Sequence, residues 1–152
     1  MKINLGCGHN KLAGYTNIDN RASVNPDVLC DITEGLPFDD NSVDEVLALE
    51  FLEHIPIQST FFVVGEIWRV LKPDGLFQSR TPDAEHGQGA WMDPTHINPW
   101  VEGRWLYFSH PDFRAIYDIE SEFKIKRLER KLTDVRNRVY HLFVEAIAVK
   151  NV

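Results

Sequence analysis

The feature that most constrains this chain is Ile3-Asn4-Leu5-Gly6-Cys7-Gly8, a short apolar run ending in two glycines one residue apart. Such a run reads as a strand. A Gly-x-Gly at its end supplies a sharp turn with positive φ and bare backbone against which a ligand can lie. By itself the motif permits a plain glycine turn, a nicotinamide site or another nucleotide-type site. The rest of the chain must decide.

Tyr15-Thr16-Asn17-Ile18-Asp19 reads as a second short strand closing on a carboxylate. Asp19 follows Gly8 by only eleven residues, which leaves no room for the full helix that a nucleotide-binding βαβ unit inserts. Asp27-Val28-Leu29-Cys30-Asp31 repeats the pattern, and Thr33-Glu34-Gly35-Leu36-Pro37-Phe38 then breaks regular structure. In an open parallel sheet the ligand crevice lies at the carboxyl ends of the strands, which sets Asp19 and Asp31 beside the glycine turn. Each alone would serve equally well to start a solvated turn. Together they favour a ligand with hydroxyls and an amine.

Val43–Leu49 reads as a fourth strand, and Pro56 stops the segment that continues beyond it. Thr60, Val64, Ile67 and Leu71, with Phe61 and Trp68 alongside, then recur at helical spacing. Lys72-Pro73-Asp74-Gly75 ends this helix, with Gly75 expected to take the left-handed reversal into a fifth strand, Leu76–Ser79. The result is a βαβ crossover.

In this order the motifs resemble those of class I S-adenosylmethionine-dependent methyltransferases of the small, minimal type. Leu5-Gly6-Cys7-Gly8 matches the glycine motif, Asn17-Ile18-Asp19 the acidic end of strand two, and Cys30-Asp31 with Leu36-Pro37-Phe38 the strand-three carboxylate and its turn. Val43-Asp44 through Leu52-Glu53-His54-Ile55, then Trp68 to Gly75, matches the strand-four and helix pattern. The likeness covers residues 3–82. It implies an α/β fold, a doubly wound, Rossmann-like, mostly parallel sheet closed by a C-terminal antiparallel hairpin. It also implies S-adenosylmethionine as cofactor, contacted by Leu5, Gly6, Cys7, Gly8, Asp19, Asp31, Ile32, Leu49 and Glu50. Gly6 and Gly8 would pass under the methionine end, Asp19 would hold the ribose hydroxyls and Asp31 would face the adenine amine. Leu49 and Glu50 would border the sulfonium, with Phe51 and His54 in the neighbourhood of the methyl.

Three departures stand out: Asn10 at the third glycine position, Asp74 in place of a glycine, and the absent helix between strands one and two. The last leaves an edge and part of one face of the sheet uncovered, so a partner subunit, a homodimer, is expected there.

The 152 residues fit a single domain, 1–152, with 83–118 as an acceptor-side insertion. A net charge of −7 argues against a non-specific polyanion binder, which makes nucleic acid an improbable partner. No run approaches the ~18 apolar residues of a membrane span, and two isolated cysteines point to the reducing cytoplasm. Ala84–Ala90 reads as a mobile loop. Asn98-Pro99 should then cap a helix running toward Phe108, with Trp100, Trp105, Leu106 and Phe108 as its apolar contacts.

Between these, Asp93-Pro94-Thr95-His96 carries the catalytic candidates. Transfer of a methyl to an alcohol needs a base, and His96 oriented by Asp93 fits that task. His86, Asp93 and His96 match no zinc spacing, so no metal is expected. The alternating Glu122–Leu132 and the more buried Tyr140–Val149 read as a terminal hairpin. The expected function is methyl transfer to a small-molecule acceptor, on oxygen. An inactive cofactor-binding module of the same fold, and a nicotinamide-dependent oxidoreductase, are the alternatives.

Overall fold

The computed structural model describes residues 1–150. Its strands are β1 (Lys2–Leu5), β2 (Thr16–Asp19), β3 (Val28–Leu29), β4 (Val43–Leu49), β5 (Leu71–Gly87), β6 (Phe123–Asp134) and β7 (Val139–Ala148). They form one sheet in the order β3-β2-β1-β4-β5-β7-β6. The first five run parallel. β7 lies antiparallel between β5 and β6.

Only one crossover carries a helix of more than five residues among those described, α1 (Thr60–Val70) between β4 and β5. It buries Val63, Val64, Ile67 and Val70; of the expected stripe only Val64 and Ile67 lie on this face, since Thr60 is half-buried, Phe61 is exposed and Leu71 already begins β5. The reversal after it belongs to Asp74 at φ 60°, not to Gly75. Aspartate tolerates this conformation, and Gly75 is needed for a different reason. A Cβ there would stand 2.9 Å from the Lys72 carbonyl. The turn forms a bulge across which the β4–β5 register shifts.

The insertion differs from its sequence-based expectation in two respects. Residues 84–87 extend β5, with Gly87 opposite Val139, and α2 (Gly89–Met92) comes directly after. Asn98 caps no helix. It is fully buried, donates to Thr60 Oγ1 at 2.9 Å and accepts from Arg104, while Trp100 forms a bridge with Asp83. The helical turns start later, with a 3-10 turn at Glu102–Trp105, α3 (Leu106–Ser109) and α4 (Pro111–Ala115). Trp100, Trp105 and Phe108 are buried as expected, but Leu106 is exposed.

A single core lies on one face of the sheet, where Ile3, Val46, Phe77 and Val144 meet Val64 and Ile67 of α1 and Trp105 and Phe108 of the insertion. On the opposite face the register aligns Leu49 with Arg80 and Phe143, and Leu76 with Ile147. These side chains stay exposed or half-buried. No described helix is long and apolar enough to cross a membrane.

Candidate functional site

The β1 turn is built around a close approach. Gly6 has φ 62°, and a Cβ on it would sit 2.2 Å from Cδ2 of Phe51, so glycine is required on both counts. The N–H of Gly8 donates to Asp19 Oδ2 at 2.8 Å. Asp19 Oδ1 accepts from the backbone N–H of Arg21 at 2.9 Å and from its Nε at 3.2 Å. Burial pushes the Asp19 carboxyl up, but the Gly8 and Arg21 hydrogen bonds outweigh it and hold the group below its ordinary value. The short β1–β2 link thus fixes an ionised carboxylate at the end of β2. Asp31 ends β3 similarly, its Oδ1 accepting the N–H and hydroxyl of Thr33 to cap the turn Ile32–Glu34.

A cleft of about 350 Å³ opens at these strand ends, lined by Leu5, Gly6, Asp19, Asp31, Ile32 and Glu50 from the expected set. Cys7 and Gly8 shape the turn without lining the cleft; Cys7 is buried, and its N–H bonds the Ile18 carbonyl. Leu49 does not line it either, because alternation along β4 turns its side chain to the uncovered face. Arg21, Cys30, Ile55 and Thr95 do line the cleft. Cys30, Ile55 and Thr95 belong to motifs noted in the sequence without being singled out as contacts, and Arg21 belongs to none.

At the far end of the cleft stands Glu50, whose φ of 53° marks a tight turn out of β4. Its carboxylate pairs with Arg80 Nε at 2.6 Å and His141 Nε2 at 3.1 Å. Burial raises this carboxyl, yet His141 and then Arg80 bring it below its ordinary value. Glu53 has no such support. It is 2% exposed with neither carboxylate oxygen hydrogen-bonded, and burial, with the Glu50 charge beside it, holds its carboxyl far above the ordinary range.

The Asp-Pro-Thr-His segment docks against this turn through its main chain. The N–H groups of Ile97 and Asn98 both donate to the Glu53 carbonyl at 3.0 Å. His96 therefore stacks edge-on to His54, ring centres 4.9 Å apart. Asp93 does not hydrogen-bond His96, the nearest approach being 3.8 Å. Its Oδ1 instead accepts the N–H and hydroxyl of Thr95, at 2.8 and 2.6 Å. His86 is paired elsewhere, with the fully buried Asp83 at 3.0 Å. Asp83 also binds Arg130.

The antiparallel β7 between β5 and β6 is the strand arrangement that the motif resemblance implies, and a family model described as a methyltransferase domain matches residues 13–78. In fold and motif order, the chain is similar to S-adenosylmethionine-dependent methyltransferases. Among curated relatives, it is 35% identical over 79 residues to 24-methylenesterol C-methyltransferase 2 of Oryza sativa subsp. japonica, a stretch covering 51% of this chain and 19% of that protein. The chain thus spans less than a fifth of that relative's length. Two solved structures share the fold at 15% identity. One is a SAM-dependent methyltransferase from Archaeoglobus fulgidus, with TM-score 0.68 over 95% of this chain and 85% of that one. The other is the cyclase SpnF, with TM-score 0.69 over 99% and 75%. The shared fold therefore extends across the described residues, well past the family-model match.

Proposed function

We propose that the protein binds S-adenosylmethionine in the strand-end cleft and transfers its methyl group to the oxygen of a small-molecule acceptor. The observation that carries this reading is the meeting of a glycine turn and two strand-end carboxylates in one cleft that ends at an imidazole, His54. The bound cofactor supplies a sulfonium methyl for in-line displacement. Leu5 and Gly6 form the floor at its methionine end, and Cys7 and Gly8 hold the turn that places them. Asp19, ionised at neutral pH, accepts from the ribose hydroxyls once the exposed Arg21 side chain swings aside. Asp31 with Ile32 meets the adenine, and Glu50 borders the sulfonium, the Leu49 side chain lying on the other face of the sheet. His96 receives the acceptor's hydroxyl together with His54, and Asp93 positions that segment by holding Thr95.

Calorimetry tests the cofactor site. Asp19→Ala should weaken S-adenosylmethionine binding by about 100-fold or more, the loss of two charge-assisted hydrogen bonds. Unchanged affinity would remove Asp19 from the site. Binding without release of S-adenosylhomocysteine over a panel of acceptors would favour the inactive-module reading. A carbon acceptor is the second reading, favoured by curated relatives named as sterol C-methyltransferases. Product analysis distinguishes C–CH₃ from O–CH₃.

We also infer that a second copy covers the bare sheet face, making a homodimer in the cytoplasm. Leu49, Leu76, Phe143 and Ile147 give that face apolar area, and some of its charges are already paired, Arg80 with Glu50 and Arg127 with Glu145. Light scattering should give twice the chain mass, falling to the monomer in Phe143→Glu. A wild-type monomer overturns the dimer.

A further inference from the structure

Glu53, His54 and His96 come from two segments far apart in sequence, yet each offers a ligand atom within 4.8 Å of the others. Both Glu53 oxygens and Nδ1 of His96 are buried without a hydrogen-bond partner. A polypeptide interior does not ordinarily keep unpaired acceptors side by side, since each carries its full desolvation cost.

The surrounding hydrogen bonds set the tautomer of His54. The hydroxyl of Thr95 donates to Asp93 at 2.6 Å, so towards His54 it can only accept. His54 Nδ1, 3.2 Å from both that hydroxyl and the Thr95 carbonyl, must therefore carry the proton. Nε2 is left with its lone pair. This is the arrangement of a metal-binding histidine, whose second nitrogen donates to a backbone carbonyl. In His96 the buried Nδ1 has no partner and is the nitrogen free to offer a lone pair, while Nε2, 3.8 Å from Asp93, makes no hydrogen bond.

We propose that Glu53, His54 and His96 bind one first-row divalent transition ion of the zinc class. Two imidazoles and a carboxylate form a nitrogen and oxygen donor set suited to such an ion, whereas magnesium and calcium select oxygen alone. A tetrahedral ion with ligands at about 2.0–2.1 Å brings its donor atoms ~3.3 Å apart. The exposed His54 ring supplies the closing movement, while the main-chain bonds from Ile97 and Asn98 to Glu53 keep His96 in place. Three protein ligands leave a fourth position, and His54 lines the cleft. That position opens where an oxygen donor of the acceptor would lie, a consequence that rests on the proposed methyl transfer.

A second cluster, Asp83, Glu85 and His86, lacks this character because the Arg130 guanidinium already occupies Asp83 and reaches Glu85.

The test is titration of chelator-treated protein with Zn²⁺ by calorimetry and with Co²⁺ by visible absorption, neither of which depends on methyl transfer. One equivalent should bind at micromolar or tighter affinity. His54→Ala, at an exposed position that folding does not need, and His96→Ala should each weaken binding by roughly 100-fold or more, beyond what loss of a supporting partner costs. His86→Ala should leave it unchanged. Absence of saturable one-to-one binding, full binding in His96→Ala, or loss of binding in His86→Ala would each overturn the site. S-adenosylmethionine affinity, measured separately on the same samples, shows whether the cofactor reading stands on its own.

Discussion

At one edge of the sheet β1, β2 and β3 are 4, 4 and 2 residues long, whereas β6 and β7 at the other run for 12 and 10. The short-stranded edge is held by polar side chains that reach the main chain. Asn17, 3% exposed, accepts from the N–H of Leu12 and the amide of Asn4, and donates to the Leu12 and Tyr15 carbonyls and to Asp27. The long-stranded edge and the insertion on it are held by packed aromatics, with Trp105 against Phe77, Trp100 and Phe108. The difference teaches how a sheet of this fold can dispense with helices between its first three strands. Side-chain hydrogen bonds replace their packing where loops are too short to cross the sheet.

The largest test of that contrast is Trp105→Ala. Removing a 1%-exposed indole from the aromatic layer should cost about 3–5 kcal/mol in denaturant unfolding. A cost below about 1 kcal/mol would mean that the insertion is not part of the core. Asn17→Ala should cost less, about 1–3 kcal/mol, because it strands a few main-chain groups instead of opening a cavity. Its effect should also be local. Hydrogen exchange should quicken between residues 8 and 30 and stay unchanged along β7. Equal losses in both regions would erase the distinction.

Much of the glycine-turn end of the cleft is legible in sequence because its determinants are local. Gly6 and Gly8 need positive φ, Asp19 and Asp31 stand at strand ends, and α1 shows a helical period. The acceptor end is less so. Nothing in the spacing of Glu53-His54 and His96 reveals that two main-chain bonds to the Glu53 carbonyl bring them together. Nor does the Asp93–His96 spacing disclose that Thr95 occupies the Asp93 carboxylate. The reading of Asn98-Pro99 as a helix start obeys a sound local rule, overridden when a buried Asn98 bonds Thr60 across the fold. The bare sheet face is partly legible from the short β1–β2 link. Its full extent comes from α1 and α3 packing on the same side.

Acid should separate the two edges. The Asp27 carboxyl is held at about 2 by Lys11 first and Asn17 next, and Asp19 also lies below its ordinary value. Because both are lower in the folded chain than the ordinary 3.8, their stabilisation is fully present above that value. It drains away as pH falls through about 2. Amides between residues 8 and 30 should lose exchange protection at a higher pH than those of β7. Simultaneous loss would show the sheet to be one cooperative unit despite its two kinds of support.

The smallest effect concerns a staple that also lines the strand-end cleft. Arg21 is 60% exposed where it pairs with Asp19, and exposed pairs of this kind contribute about 0–1 kcal/mol. Arg21→Ala should therefore leave stability nearly untouched and tighten S-adenosylmethionine binding by at most about fivefold, since the carboxylate no longer has to release its partner before meeting the ribose. Calorimetry beside an unfolding curve reads both quantities. Weaker binding would mean that Arg21 itself contacts the cofactor. The polar edge would then be part of the ligand site as well as its support, which the aromatic edge is not.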